Sequence, residues 1–412
     1  MKDKKNLAAW LDRLIGKQCS YSTVAMATGY NKNYLCELVK KYIVGGENAL
    51  VHKNRGRIPA NKLKPDLRQR IVLLYSMEDS DMNFNFFQEL LEDEHGISIS
   101  YTALYKLLTS AGYRSPEAHA KKKNRVHRPR QRKEFRGELI QIDGCEHQWF
   151  LKSNNDRAYY TIHGSIDDAT GQITSLVMRH TECLDGYLTM FKESVDFLGG
   201  CPLSIYSDRA SCFVKNPNDA KELTIEEQLE GLHESHTQWQ RMLRELGVKQ
   251  ILAWSPQAKG RIERLWHTLQ GRLPRLFARN HICNMDDANR FLKQYIDKYN
   301  KKFAHDPLKQ ERVVKQAPDN FMDILCLQYQ RRITMSNTVS FDGYKFLVDG
   351  RGVAAKKCMI HIGFGNFFCS VNGKKYPLKL MDRYSGSSGQ YPNLIAKFME
   401  AYLYSYCKEK SA

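Results

Sequence analysis

The stretch GELIQIDG (137–144) decides the fold, because it is a short apolar strand that ends at an aspartate, Asp143. The same pattern returns in CPLSIYSD (201–208), which ends at Asp208. Short apolar runs bounded by turn residues are typical of buried strands. In an open α/β sheet, ligands collect where the strands end. The two segments therefore predict a sheet with two carboxylates at one edge.

The segments around these strands alternate between the sequence patterns of strands and of helices, which predicts a mixed α/β core over 137–305. In chain order we predict a strand and a turn over 157–171, a strand over 173–180, helices over 184–199 and 237–247, a strand over 248–254 and a long helix over 258–279.

The segment YSTVAMATGYNKNYLCELVKKY (21–42) has the pattern of a helix-turn-helix unit. A short helix is followed by a turn at Gly29 and by a second, amphipathic helix. We predict a DNA-binding module over 1–58. The alternative is a small helical bundle that makes no contact with DNA.

A second segment, ISISYTALYKLLTSAGY (97–113), predicts another helix that opens at Ser100 or Tyr101. We interpret 59–118 as a second helix-turn-helix module. The same alternative, a bundle without a DNA contact, applies here.

The balance of charge points to a polyanionic partner. The 412 residues carry a formal net charge of +18, which suits nucleic acid or an anionic membrane surface. No apolar run approaches the length of a membrane span, and the first residues contain no signal peptide. We therefore expect a cytoplasmic protein that binds nucleic acid and not membrane.

The cysteines suggest no metal site and no disulfide framework. All 11 are scattered, without a paired CxxC spacing. An odd total also argues against a complete set of disulfides. We expect reduced thiols, mostly buried, with no role in the function.

A basic linker is predicted over 119–136. Its sequence KKKNRVHRPRQRKEFR (121–136) contains nine Lys or Arg residues and one Glu, without hydrophobic periodicity. Charge runs are often only solvated segments, but this one joins two candidate DNA-binding modules to the core. We expect its basic side chains to contact phosphates; they are Lys121, Lys122, Lys123, Arg125, Arg128 and Arg130.

The strand-end aspartates suggest a metal site. Asp143 and Asp208 can converge if their strands are neighbours, and Glu263 on the first turns of the long helix can supply a third carboxylate. Oxygen ligands without His or Cys favour Mg²⁺ or Mn²⁺ over zinc. Two such ions suit in-line phosphodiester chemistry. The alternative is a turn residue, a cap and a surface helix residue without a shared role.

These motifs resemble a known family. SPQAKGRIERLWHTLQGRL (255–273), with QIDG (141–144) and YSDRAS (206–211), is similar to the catalytic domain of insertion-sequence transposases. That domain belongs to the retroviral-integrase superfamily and has a ribonuclease-H-like fold. The resemblance extends from about residue 20 to about residue 375 and is to the ISNCY group of bacterial transposases.

The resemblance implies an activity and its residues. Asp143, Asp208 and Glu263 would form the DDE triad of a transposase, with two Mg²⁺ or Mn²⁺ ions. The enzyme would cut double-stranded DNA at the terminal repeats of its own element and join the freed 3′-hydroxyl ends to target DNA. It would act as a homo-oligomer in the bacterial cytoplasm, associated with the nucleoid. One departure is the gap of 54 residues between Asp208 and Glu263, which contains an acidic insert near 213–236.

Residues near Glu263 are candidates for contact with DNA. Lys259 and His267 lie four positions on either side of it, which places them on its face of a helix. Arg261 and Arg264 add positive charge along the same helix. An exposed amphipathic face without DNA is the alternative for each. The acids Asp167 and Asp168, in IDDATG, are interpreted as turn residues rather than metal ligands.

The C-terminal part has the sequence pattern of short β-strands. After a connector over 306–330, short segments separated by Gly, Asn and Asp turns predict four or five strands over 331–381. They fit a small SH3-like barrel, as in related integrases, and the tail 382–412 contains an amphipathic helix. The fold prediction is thus multidomain: helix-turn-helix modules, an α/β ribonuclease-H-like core and a barrel.

Two other functions remain open. The chain could be a catalytically inactive or domesticated DNA-binding regulator, although all three carboxylates are present. It could also be a ribonuclease-H-like nuclease, but such a nuclease needs no modules that recognise DNA ends.

Overall fold

The structure, a computed structural model, describes residues 6–50, 63–78, 82–116, 131–151, 159–214, 237–253 and 259–383. The chain divides into two compact units, Met1–Ser115 and Pro116–Ala412. Three predicted features lie outside the described residues: the six basic linker residues, most of the acidic insert and the amphipathic helix of the tail. None of the helices in the described parts is long and apolar enough to cross a membrane.

The first helices of unit 1 confirm the helix–turn–helix pattern predicted for 21–42. The bounds are α1 Leu7–Ile15, α2 Tyr21–Thr28 and α3 Lys32–Gly45, with a 3₁₀ turn over Gly46–Leu50. Ser20 caps α2, and Gly29 ends it in the left-handed conformation, with φ of 67°. Asn31 caps α3, and Leu11, Val24 and Leu35 are fully buried between the helices.

The second group has three helices, of which the sequence placed only the last. Its members are α4 Pro65–Ser76, α5 Phe84–His95 and α6 Tyr101–Ser110. The hydroxyl of Ser100 accepts a hydrogen bond from the backbone N–H of Ala103, so Ser100 is the cap and Tyr101 the first helical residue. The turn before α6 begins at Gly96, with φ of 62°. The pair α5 and α6 therefore carries the helix–turn–helix pattern.

Unit 2 is built around a five-stranded mixed sheet. The described elements up to the end of the core are β1 Phe135–Arg136, β2 Leu139–His147, β3 Tyr160–Asp167, β4 Ile173–Arg179, α7 Leu184–Leu198, β5 Cys201–Pro202, β6 Ser204–Ser207, α8 Gln238–Glu245, β7 Lys249–Leu252, α9 Gly260–Gln270, α10 Leu273–Arg279 and α11 Met285–Phe303. The strand order is β4-β3-β2-β6-β7. The pairs β2–β3 and β3–β4 are antiparallel, whereas β2–β6 and β6–β7 are parallel. The predicted mixed α/β order is confirmed.

Helices cover both faces of this sheet. Ile140 and Ile142 of β2 pack with α7 and α8 in one apolar cluster. Strands β3 and β4 pack with α9, α10 and α11 in a second cluster on the other face. Alternate residues of β2 therefore face two different layers, as the two-residue period of a strand requires.

Two predicted boundaries are wrong. Strand β2 continues past Asp143 to His147, because β3 pairs with it along its whole length. The predicted long helix over 258–279 is two helices that break at Gly271 and Arg272. Pro274 lies in the first turn of the second helix, and its ring would clash with the carbonyl four residues earlier in a continuous helix.

The C-terminal barrel has six strands rather than four or five, and it begins earlier than predicted. The segment after the core contains β8 Lys309–Arg312, β9 Val314–Lys315, α12 Phe321–Leu325, β10 Leu327–Arg332, β11 Thr338–Phe341, β12 Tyr344–Val348, β13 Lys357–Gly363, β14 Asn366–Val371 and β15 Lys374–Arg383. The order β10-β13-β14-β15-β12-β11 forms a nearly closed sheet. The β texture read from sequence misses β10 because its polar residues, such as Gln328 and Gln330, do not look like a strand.

The barrel and the α/β core share one hydrophobic interior. Phe341 and Phe346 of the barrel belong to the same buried cluster as Trp239 of α8. The Gln238 side chain bonds both the N–H and the C=O of Gln328, at 3.1 and 2.7 Å. Arg241 donates to the carbonyls at the end of α12 and after it. The barrel is thus fixed on α8.

His163 gives the fold a predictable dependence on pH. Its Nε2 accepts the N–H of Cys183 at 3.1 Å, and Nδ1 lies 3.3 Å from the carbonyl of Val177. Burial lowers the pKa of His163 from 6.5 to about 4. The unfolded chain therefore binds more protons than the folded one in this window, so stability falls as the pH drops from about 6.5 to 4.

We expect the free energy of unfolding to fall by about 2 kcal/mol through His163 between pH 7.5 and 5.0. His163→Gln removes the titration and keeps a donor and an acceptor, so denaturant melts of this variant should depend less on pH. His281→Gln, at an exposed histidine, is the control and should keep the wild-type dependence. An unchanged pH profile in His163→Gln would contradict the assignment.

Candidate active site

The site forms where α9 lies along β2. Three side chains on one face of the strand form hydrogen bonds with residues of the helix. Their partners are spaced four residues apart along the helix. Gln141 Oε1 accepts the N–H of Ile262 at 3.3 Å, Asp143 Oδ2 accepts the indole N–H of Trp266 at 3.0 Å, and the Cys145 sulfur accepts the amide N–H of Gln270 at 3.3 Å. Two strand residues and four helical residues span nearly equal lengths, about 6.7 and 6.0 Å, so the two elements stay in step.

Asp143 and Asp208 come together at the edge of the parallel part of the sheet. The β2–β6 ladder ends at Gln141 and Tyr206, and Asp208 follows β6 directly. Beyond that point no strand in the described part of the chain pairs with β2 on this side, so the Asp143 side chain can approach Asp208 at the end of β6. The predicted convergence of the two aspartates is therefore found, although Asp143 lies inside its strand and not at its end.

A lysine lies between the two carboxylates. Lys259 Nζ is 2.7 Å from Asp143 Oδ1 and 3.2 Å from Asp208 Oδ2. The Lys259 side chain is only 8% exposed, against 20% for Asp143 and 41% for Asp208. The other oxygen of Asp208 accepts the N–H of Ala210 at 3.0 Å, which fixes the turn after β6.

Burial and pairing set the electrostatics of this cluster. Burial raises the pKa of Asp143, although Lys259 and Trp266 work against the shift. Burial acts to lower the pKa of Lys259, but its attraction to Asp143 and Asp208 outweighs that and raises it. The lysine is therefore held as a cation by the two carboxylates.

Glu263 has a different environment. It lies in the first turn of α9 and is exposed, on the same face as His267. Among the described residues, no three His, Cys, Asp or Glu side chains are grouped so that they could hold a metal ion. The structure thus brings two of the three predicted carboxylates together around a lysine, and the role of Glu263 stays a prediction.

The donor set fits a divalent ion of the magnesium type. Two carboxylates from neighbouring strands converge on one position, and that position is taken by a positive charge. Hard oxygen donors of this kind are the ligands that Mg²⁺ and Mn²⁺ prefer. Asp143 and Asp208 are the residues that would hold such an ion.

The acid Asp168, interpreted from sequence as a turn residue, ties the helix to the sheet. It is fully buried, and its Oδ1 accepts from Arg261 at 2.8 Å and from Gln141 at 2.7 Å. Its Oδ2 accepts the N–H of Lys133. Asp167 accepts from Thr170 in the same turn and from the N–H of Gly137, which precedes β2. The hydrogen bonds of both carboxylates thus serve to hold the turn and the helix in place.

Helical spacing gave the wrong environment for two basic residues. Lys259 is the cap of α9 and has a non-helical backbone, so it does not share the exposed face of Glu263; it points into the sheet. The Arg261 side chain is 9% exposed and paired with Asp168, so its charge is used inside the protein. Arg264 and His267 are exposed, as a contact with DNA requires.

Several residues that shape the site were not predicted from the sequence. Trp266 lies in the second buried cluster, and its indole N–H also orients Asp143. Gly164 faces Asp143 across the β2–β3 ladder and leaves room for the Trp266 ring. Glu182 accepts a hydrogen bond from Tyr187 and lies against Gly144, next to Asp143. No local sequence pattern marks any of these residues, because each acts through a contact with a distant segment of the chain.

We expect Gly164→Ala to disturb the site. An added Cβ would lie 2.5 and 2.9 Å from two atoms of the Trp266 ring, so the ring must shift away from Asp143. Overpacking of this kind costs roughly 1–3 kcal/mol, measurable by denaturant unfolding, and should change the tryptophan fluorescence.

Gly271→Ala is the matched control, since its Cβ meets nothing closer than 3.7 Å and its φ is −74°. Equal stability and fluorescence in the two variants would show that Gly164 is not needed for the placement of Trp266.

The comparisons with known proteins point to one class. No family model matches the chain. It is 29% identical to a protein of Sinorhizobium fredii named "Putative transposase y4bF". The matched region of 381 residues covers 90% of this chain and 80% of that protein. It is 32% identical over 291 residues to the transposase for insertion sequence IS1202 of Streptococcus pneumoniae, which covers 63% of this chain and 60% of that protein. Over most of its length the chain is therefore similar to transposases; neither name specifies the ISNCY group, which stays a prediction.

Two solved structures are also similar. One is a chain of the simian T-cell lymphotropic virus intasome in complex with PP2A regulatory subunit B56 gamma, at 15% identity, covering 77% of this chain and 99% of that one, with a TM-score of 0.32. The other is the catalytic core domain of BIV integrase, at 18% identity, covering 40% and 85%, with a TM-score of 0.26. At these TM-scores neither likeness bears on the fold, which rests on the strand order given above.

Proposed function

We propose that the chain is a DNA transposase of the DDE type, which cuts the ends of its own element and joins their 3′-hydroxyl groups to target DNA. The observation that carries this proposal is the convergence of Asp143 and Asp208 on one cation position at the edge of the sheet. The similarity to two transposases supports it independently. The net charge of +18 suits the polyanionic substrate.

In this proposal Asp143 and Asp208 bind a divalent ion, and Glu263 completes the set from the first turn of α9. The bound metal would activate the attacking oxygen and stabilise the leaving one during in-line displacement at phosphorus. Trp266 holds one oxygen of Asp143 and leaves the other for the ion. The buried pair Asp168–Arg261 keeps the start of α9, and with it Glu263, at a fixed distance from the sheet.

The exposed face of α9 is the proposed contact with the DNA near the cut. Glu263, Arg264 and His267 all lie on it. Arg264 donates to the carbonyl of Gly260 through Nε at 2.9 Å, which leaves the terminal nitrogens available for phosphate. Arg261 has no part in this face, because its guanidinium is engaged with Asp168.

Helix α3 is the proposed reader of the element's ends. Its first residues, Lys32, Asn33 and Tyr34, are exposed, and the N-terminal residues of the second helix in such units contact base edges in the major groove. Helix α6 takes the same part in the second module, with Thr102 and Lys106 exposed. Since two ends must be brought together, we propose that a homo-oligomer forms on the DNA.

The test is a joining assay with the full chain, Mg²⁺ or Mn²⁺, a duplex that carries the inverted repeat flanking the gene, and plasmid target. We expect joined product from the wild type. Asp143→Asn, Asp208→Asn and Glu263→Gln should each lower it at least about 100-fold, with binding of the duplex retained in a mobility-shift assay.

Asp306→Asn is the matched control, because Asp306 is an exposed aspartate of unit 2. This variant should give as much joined product as the wild type. Joining by Asp208→Asn at the wild-type rate would overturn the metal-site assignment. Binding of the ends by the wild type without any cutting or joining would favour the DNA-binding regulator instead.

A further inference from the structure

Lys259 differs from an ordinary surface lysine near an active site. Its side chain is buried to 8% exposure, and its ammonium group contacts both aspartates. An ammonium and a divalent ion cannot share one position between the same two carboxylate oxygens. The lysine and the metal of the proposed function must therefore exclude each other.

We infer that Lys259 is a built-in counter-ion, which fills the cation position between Asp143 and Asp208 until a metal ion displaces it. The inference rests on the proposed function, since it concerns the same metal site. It assigns Lys259 a role in the site itself, whereas the sequence predicted a contact with DNA.

The local structure supports such an exchange. Two carboxylates close together repel each other when no cation is present, so the lysine stabilises the metal-free site, above all at Asp143, which is the less exposed of the two. Lys259 stands at the cap of α9, with no side-chain hydrogen bond to the helix, so its side chain can leave without unwinding a turn. The helix itself stays in place, because Ile262, Trp266 and Arg261 remain bonded to the sheet.

The exchange lowers the apparent affinity for metal. When a competing group occupies a site most of the time, the apparent dissociation constant rises in inverse proportion to the fraction of open sites. If the lysine occupies the position about nine-tenths of the time, its removal should tighten metal binding about tenfold. A lysine that only contacts DNA would leave the metal affinity unchanged.

The experiment measures Mn²⁺ binding to the full chain by isothermal titration calorimetry, without DNA. Lys259→Met should bind Mn²⁺ about tenfold more tightly than the wild type. It should also melt at a lower temperature without Mn²⁺ and gain more from added Mn²⁺, because its two carboxylates then lack a partner. Asp208→Asn should bind Mn²⁺ weakly or not at all.

Lys249→Met is the matched control. Lys249 is exposed at the start of β7, so this variant loses the same charge without touching the two aspartates and should bind Mn²⁺ as the wild type does. Should methionine at position 259 prevent folding, Lys259→Gln keeps a polar side chain without the charge and carries the same expectation.

The outcomes separate this inference from the proposed function. If the wild type binds Mn²⁺ and Lys259→Met binds it equally or more weakly, the counter-ion role is wrong and the proposed metal site stands. The counter-ion role is also wrong, and the metal site again stands, if Lys259→Met loses only affinity for the duplex in a mobility-shift assay. If neither protein binds Mn²⁺, the metal site and the counter-ion role both fall.

Discussion

The contact between helix α9 and strand β2 is the constraint on which the site depends. Three side chains of the strand, Gln141, Asp143 and Cys145, each form a hydrogen bond with a residue of the helix. Successive partners on the helix lie four residues apart. A slip of one residue in the strand would turn all three to the opposite face, toward α7. The same contact that holds the helix therefore also orients the carboxylate, so the packing of the core and the geometry of the site cannot vary separately.

Buried charge makes this contact specific. Asp168 is fully buried and pairs with Arg261, and Asp143 pairs with Lys259. Buried charges are tolerated when they are paired and hydrogen-bonded, and losing one partner is costly because the other remains without compensation. The start of α9 is thus fixed by two ion pairs and the hydrogen bond from Ile262 to Gln141. The Asp168–Arg261 pair is buried, whereas the Asp143–Lys259 pair lies beside Asp208, which is more exposed to solvent.

Much of the fold could be predicted from the sequence, because local residue preferences determine where many of its helices and strands lie. Apolar runs located the strands of the core, and Gly29 and Ser100 marked helix boundaries by their own preferences. The strand pairing could not be read in this way. Strand β2 runs past Asp143 because β3 continues beside it, and β10 forms from polar residues because β13 is available as a partner. Both depend on contacts with distant segments.

The candidate site shows the same division. Asp143 and Asp208 were found from local pattern, since each follows an apolar run at a turn or a sheet edge. The environment of Lys259 was not, because helical spacing does not apply to a residue that precedes the first helical residue of α9. That of Arg261 was not, because its partner Asp168 lies on a distant segment. Trp266, Gly164 and Glu182 matter only through the folded arrangement of three separate segments, and no local pattern marks them.

The central claim is that Asp143 and Asp208 define one cation position, held by Lys259 or by a metal. The most direct measurement is a crystal structure of the chain with Mn²⁺, in which anomalous scattering locates the ion. We expect an anomalous peak about 2.1–2.3 Å from an oxygen of each aspartate, with the Lys259 ammonium moved out of the position it now occupies. A peak elsewhere, or a lysine that still bridges both carboxylates beside a bound ion, would contradict the claim.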